Sequence, residues 1–163
     1  MQVRKLKNAY VFDVDGVLSN NTGRVHLLHQ DDKTRDECWQ EFLDASAQDD
    51  IYEDTAALLK VLYLFGYEVL LVTGRAKQYH YLLDEWLEKY NIKQYISEIY
   101  ERADGDHRKD YIIKKEIYNK YLLNTYKIFG IYEDNDDCVE MWRSLGLTCY
   151  QPRKMIDYGK EKQ

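Results

Sequence analysis

The stretch that decides the fold is Tyr10-Val11-Phe12-Asp13-Val14-Asp15-Gly16-Val17-Leu18-Ser19. A short apolar run meets an acid, and a second acid and a glycine follow two and three residues later. Such a run suits a strand covered on both faces. Carboxylates at i and i+2 share one side if the strand continues, and both can face one pocket if Asp15 begins the turn. Like charges that close need a cation, a proton or solvent between them. Asp before Gly is also ordinary turn chemistry, so the string by itself leaves both readings open.

Four further apolar runs lie outward from it. Tyr67-Glu68-Val69-Leu70-Leu71-Val72 ends at Thr73-Gly74-Arg75; the others cover residues 96–100, 128–132 and 147–150. Helical patterns fill the gaps. Tyr79, Leu82, Leu83, Trp86, Leu87 and Tyr90 form one wide apolar face. Leu58, Leu62 and Phe65 mark an earlier helix that Gly66 ends, Ile113, Ile117 and Tyr121 another, and Cys138, Trp142 and Leu145 a last one stopped by Gly146. Strands alternating with helices predict an α/β fold: a parallel five-stranded sheet with helices on both faces, in one domain over residues 1–163. Right-handed crossovers then collect the strand C-termini on one edge, where ligands bind.

The other strand ends carry chemistry of the same kind. Thr73-Gly74-Arg75 offers a hydroxyl, a flexible backbone and a cation, which together can hold a phosphate, although a polar loop would read the same way. Glu133-Asp134-Asn135-Asp136-Asp137 concentrates hard oxygen ligands that suit Mg²⁺. The helix dipole alone explains Asp136 and Asp137, with Asn135 as N-cap; it does not explain acids that begin at the strand end. Arg102-Ala103-Asp104-Gly105-Asp106-His107-Arg108-Lys109-Asp110 is a charged turn leading into a helix with Lys114 and Lys115.

Composition sets bounds. The chain has 163 residues, 45% hydrophobic and 32% charged, which is one ordinary globular domain with enough apolar surface for a core. No apolar run is long enough to span a bilayer, and the basic start is followed too soon by Asp13 and Asp15 to make a signal peptide. Three cysteines without metal spacing read as incidental thiols of a cytoplasmic protein. The 16 tyrosines read mostly as core. Net charge is -6, which at first opposes a nucleic-acid partner. It is uneven: residues 31–54 carry ten acids and two bases, residues 133–140 five acids and no base, and the rest is net +7. The first acidic stretch is expected to face outward; the second is the candidate metal site. A local, salt-sensitive grip on a strand end is compatible with this pattern.

Acid pair, Thr-Gly-Arg, lysine and second acid pair, in that order, resemble the haloacid dehalogenase superfamily of phosphohydrolases. The likeness is closest to the phosphatase domain of phage-type polynucleotide kinase-phosphatases. It is carried by Val11-Phe12-Asp13-Val14-Asp15-Gly16-Val17-Leu18, by residues 66–75, by the 102–110 string with Ile112-Ile113-Lys114, and by Val139-Glu140-Met141-Trp142-Arg143-Ser144-Leu145-Gly146-Leu147. It is weakest over residues 20–54.

The resemblance implies a Rossmann-like sheet with a flap and minimal cap at about residues 16–50. It makes Asp13 the nucleophile of an aspartyl-phosphate, Asp15 the general acid and base, and Thr73 a ligand of the transferred phosphoryl group. Lys114 would neutralise that group, with Lys109 and Lys115 as rivals. Asp13, Asp134 and the backbone carbonyl of Asp15 would hold Mg²⁺, with Glu133 supporting it. Arg24, Gly74 and Arg75 would meet the substrate, and Asp110 would orient Lys114 or an arginine. Two departures stand out. Glu133-Asp134-Asn135 replaces the family's Asp-Asp-Arg, and the chain has no GxxxxGK[ST] loop, so no kinase activity is expected from it. A small cap leaves the site open to a 3′-phosphorylated DNA or RNA end, with a nucleotide as alternative, and leaves room for a separate kinase or ligase partner. A non-catalytic phosphate-binding module is a third reading, which the intact Asp13 and Asp15 oppose.

Overall fold

The computed structural model describes residues 5–155. Five strands form the main sheet: β1 (Lys7–Phe12), β4 (Glu68–Ala76), β5 (Glu98–Arg102), β6 (Tyr126–Tyr132) and β7 (Cys149–Tyr150). Their order is β5-β4-β1-β6-β7 and every pairing is parallel. The chain builds from β1 to one side, then returns to the other side of β1 for β6. That reversal makes the end of β1 the topological switch point, the place where open α/β sheets bind ligands.

Helices α2 (Glu53–Leu64), α3 (His80–Lys89), α4 (Asp110–Ile117) and α5 (Asp136–Ser144) are the connections. The strand period of two divides the core between them. Val11, Leu70, Val72 and Ile131 pack on Ile113, Ile117 and Trp142 on one face. Phe12, Val69 and Leu71 pack on Leu59, Leu83, Trp86 and Leu87 on the other. Leu59, Leu83 and Leu87 are fully buried, each contributing about 2 kcal/mol.

Between β1 and α2 the chain makes a small flap. β2 (Ser19–Asn20) pairs antiparallel with β3 (Asp50–Ile51), and α1 (Arg35–Asp44) lies between them. Thr34 and Glu37 start α1 with a capping box. Val25, Phe42 and Leu43 seat the flap on Tyr79 and Leu82.

The expected α/β sheet is present, with differences in detail. Thr73-Gly74-Arg75 is not a loop after the second strand; it lies within β4, where the pairing with β5 shifts register between Val72 and Ala76. The third strand starts at Glu98 rather than Ile96, because Ile96 closes a 3-10 turn. On α2 the buried face is Thr55, Ala56 and Leu59, and Phe65 is 81% exposed beyond the helix end. Tyr121 is exposed because α4 runs into a π-helical turn at Tyr118–Leu122, which shifts the stripe by one residue and buries Leu122. Nor is tyrosine mainly core: among the described residues only Tyr79, Tyr118 and Tyr126 are buried. The others are half-buried or exposed, and several pack ring against ring, as in the edge-on pair of Tyr10 and Tyr67. Among the described residues no helix is long and apolar enough to cross a membrane.

Candidate active site

β1 ends at Phe12, and the Asp13 N–H still donates to the Tyr132 carbonyl at 2.9 Å. The backbone then turns sharply: the amides of Leu18 and Ser19 both donate to the Val14 carbonyl at 2.9 Å. Gly16 sits in this turn at φ +78°, and a Cβ there would overlap the Asp134 carboxylate. The glycine of the Asp-x-Asp-Gly string therefore lets Asp134, arriving from the end of β6, approach the end of β1.

Three carboxylates meet there. Asp13, Glu133 and Asp134 are buried, and one oxygen of each lies within 4.8 Å of the others. One cation faces them. Lys114, 1% exposed, projects from α4 with Nζ 2.7 Å from Glu133 Oε2 and 3.0 Å from Asp13 Oδ1. Burial opposes its charge, but Asp13 and Glu133 outweigh that and hold the ammonium well above the lysine range. One lysine does not balance three acids. Burial, then Glu133, pushes Asp134 up to about 8, and burial likewise raises Asp13 well above the carboxylate range despite Lys114. Buried hard oxygens that still lack enough positive charge fit a divalent cation such as Mg²⁺.

Asp15 lives in the opposite environment. Arg75 grips it with Nε to Oδ2 at 2.9 Å and Nη2 to Oδ1 at 2.8 Å, and Arg24 binds the same carboxylate from the flap. Burial raises its pKa, yet the two guanidiniums win and hold Asp15 well below the usual range. Arg24 is fixed in turn by Asp49 (Nε to Oδ1, 2.9 Å), by the Phe42 carbonyl (3.0 Å) and by the Phe42 ring, 3.9 Å beneath its guanidinium carbon. A third arginine, Arg102, donates to the Gly74 carbonyl at 2.7 Å, to the carbonyls of Asp106 and Arg108, and to the Asp110 carboxylate.

A pocket of about 380 Å³ opens over these groups, lined by Asp13, Asp15, Gly74, Arg75, Glu133 and Asp134, with Val25, Leu28, Trp39 and Phe42 as an apolar wall. It opens the acid cluster and the Arg75 guanidinium to one cleft at the switch point, with the Lys114 ammonium and the Arg24 guanidinium buried behind them.

A family model described as the polynucleotide kinase PNKP phosphatase domain matches residues 7–155. The chain belongs to that family. A chain of the solved Pnkp1/Rnl/Hen1 complex is similar to this PNKP-type phosphatase domain at 30% identity and a TM-score of 0.75, over 94% of this chain and 48% of that one. A protein of Autographa californica nuclear polyhedrosis virus, named as a bifunctional polynucleotide kinase/RNA ligase, is 26% identical over 145 residues, which are 88% of this chain and 19% of the viral one. The chain thus spans about half of the solved relative and about a fifth of the viral one. The class C acid phosphatase of Bacillus anthracis shares the fold, with a TM-score of 0.64 at 17% identity over 82% of this chain and 54% of that one.

Most of the expected site residues come together in this phosphatase domain. Asp13, Asp15, Gly74, Arg75, Asp110, Glu133 and Asp134 line the pocket. Arg24, Thr73 and Lys114 stand buried behind that wall, and the Thr73 Oγ1 accepts the Arg75 N–H at 3.2 Å. Lys109 and Lys115 are exposed, so Lys114 is the lysine at the acids. Asp110 pairs with Arg102, and it also lies near enough to Lys114 to raise that ammonium's pKa. Asn135 caps α5, its Oδ1 accepting the Asp137 amide at 2.9 Å.

Three residues of this neighbourhood escape a reading of the sequence. Asp49 belongs to the acidic stretch expected to face outward, yet it is buried against Arg24 and Ser19. Trp39 carries no motif. Arg102 opens the 102–110 string, and that position was the available signal.

Proposed function

We propose that this domain is a Mg²⁺-dependent polynucleotide 3′-phosphatase that works through an aspartyl-phosphate on Asp13. The observation that carries the reading is the division of labour between two carboxylates two residues apart: Asp13 against Lys114 and the other acids, Asp15 in the grip of two arginines. Environments that push two acids apart assign them different tasks.

Asp13, which Lys114 and a bound cation would together hold ionised, attacks phosphorus, and the bond to the leaving 3′-oxygen breaks while Asp15 supplies the proton. Water then attacks the acyl phosphate, Asp15 takes its proton, and inorganic phosphate leaves. Arg24 and Arg75 hold Asp15 ionised in the free site. An incoming phosphate dianion competes for the same guanidiniums and returns Asp15 toward the protonated form that the first step needs. Thr73 and Lys114 hold the phosphoryl oxygens from behind the wall. Asp13, Asp134 and the Asp15 carbonyl would bind Mg²⁺, with Glu133 anchoring Lys114 beside them. A cation bound there would supply positive charge that offsets the repulsion between the acids and the substrate phosphate.

The likeness to polynucleotide kinase phosphatase domains supports a nucleic-acid end as substrate. A role beside Rnl- and Hen1-type subunits in RNA repair would follow the company named for the solved relatives. One observation favours a second reading: a pocket of about 380 Å³ also accommodates a single nucleotide. A panel of 3′-phosphorylated oligonucleotide, 5′-phosphorylated oligonucleotide and mononucleotides, with and without Mg²⁺, separates the two. Fast Mg²⁺-dependent release of phosphate from the 3′-end alone is expected. Brisk release from mononucleotides with none from the 3′-end would sink the polynucleotide reading.

A further inference from the structure

Beyond the acid cluster the pocket does not end. A second pocket of about 360 Å³ lies between α1 and the 102–110 segment. Both cavities are walled by Trp39, Leu43, Gly74, Lys109 and Asp110. They form one trough that leads from the Asp13 site outward past the Trp39 indole.

Trp39 is 40% exposed, whereas Trp86 and Trp142 are buried. Its ring is braced edge-on by Phe42, with centroids 5.6 Å apart and planes at 86°. Phe42 in turn supports Arg24, which holds Asp15. A rigid aromatic surface therefore connects through two side chains, Phe42 and Arg24, to the Asp15 carboxylate. The charges of the trough are selective. Arg102 and Arg108 are matched by Asp110, Asp106 and Glu116, and His107 faces Asp36 at 3.9 Å. Lys109 and Arg35 have no carboxylate partner among the described residues, and Lys109 stands over the Tyr111 ring. Two unmatched cations beside an exposed aromatic are complementary to a polyanion that carries flat bases.

We propose that this trough cradles the nucleotide bearing the scissile 3′-phosphate, with its base stacked on Trp39 and the next backbone phosphate met by Lys109. The proposal rests on the polynucleotide reading above and adds to it the part of the substrate that is gripped. Stacking uses the π-face that every base has, in DNA and RNA alike, so grip without base preference follows.

The test compares wild type, Trp39→Ala and Trp39→Phe on two 3′-phosphorylated oligonucleotides that differ only in whether the terminal nucleotide has a base or is abasic. Deoxy and ribo versions of both are used. Wild type should favour the base-bearing end. In Trp39→Ala the KM for that end should rise about tenfold or more, the effect of losing one base–aromatic stack, and the preference over the abasic end should collapse. Trp39→Phe should restore most of it. Addition of the base-bearing oligonucleotide to an Asp13→Asn variant should quench tryptophan fluorescence, since the buried Trp86 and Trp142 cannot report the contact. The same base-to-abasic ratio in wild type and Trp39→Ala would overturn the stacking while leaving the 3′-phosphatase reading intact. A wild type that hydrolyses p-nitrophenyl phosphate but neither oligonucleotide would overturn both.

Discussion

Arg75 holds Asp15 at two points, through Nε and Nη2, while itself almost wholly buried. A two-point fork is something a lysine cannot make. Arg75→Lys keeps the charge and loses one of two charge-assisted bonds, so unfolding should cost about 2 kcal/mol less. Phosphatase activity should fall at least tenfold. Urea unfolding and initial rates measure both; wild-type values for the lysine variant would show that charge alone suffices.

Gly16→Ala should be the most damaging small change in the first strand turn. It forces φ +78° on an alanine and drives a methyl into the Asp134 carboxylate. A loss of about 2 kcal/mol or more is expected, with weakened Mg²⁺ dependence. Gly23→Ala is the control, because a Cβ there meets nothing within 4 Å. Equal thermal midpoints for the two variants would contradict this role for Gly16.

The acid-rich turn, the Thr-Gly-Arg step and the alternation of strand and helix were legible because each is a local pattern written over a few residues. Lys114 was nearly so. It is next to Ile113 and three residues before Ile117, on the buried stripe of α4, whereas Lys115 turns away. What stayed hidden depends on partners far along the chain. Asp49 is an ordinary acid until Arg24, 25 residues earlier, folds onto it, and Trp39 gains its meaning from a pocket that α1 shares with the 102–110 segment. Phe65 shows the opposite error: it fits the helical spacing, but the helix ends before it and leaves it in solvent.

The 102–110 segment should respond to acid in a defined window. Hydrogen bonds from the Arg108 side chain and backbone hold Asp106 down to about 2. A carboxylate with a lowered folded pKa contributes stability that is complete above its unfolded value, about 3.9. That contribution is lost as pH falls through the folded value. The stability difference between wild type and Asp106→Asn should therefore be flat at neutral pH and shrink between about 4 and 2. Carboxyl NMR titration of Asp106 gives the midpoint directly; one near 4 would show that the Arg108 contact does not persist in solution.

Lys114 and Asp13 should behave oppositely when removed, although each is the other's partner. Lys114→Met leaves three buried carboxylates with no cation beside them, a loss of about 3 kcal/mol or more. Asp13→Asn removes one negative charge from a cluster that already has too many. It should fold at least as stably as wild type while losing turnover. In the double variant the cost of Lys114→Met should shrink, because fewer acids remain unpaired. Mg²⁺ should raise the thermal midpoint of wild type and do so far less for Asp13→Asn and Asp134→Asn, since a ligand that binds only the folded state stabilises it. An Asp13→Asn variant that still turns over would remove Asp13 as the nucleophile. Equal Mg²⁺ shifts in all three proteins would place the cation elsewhere.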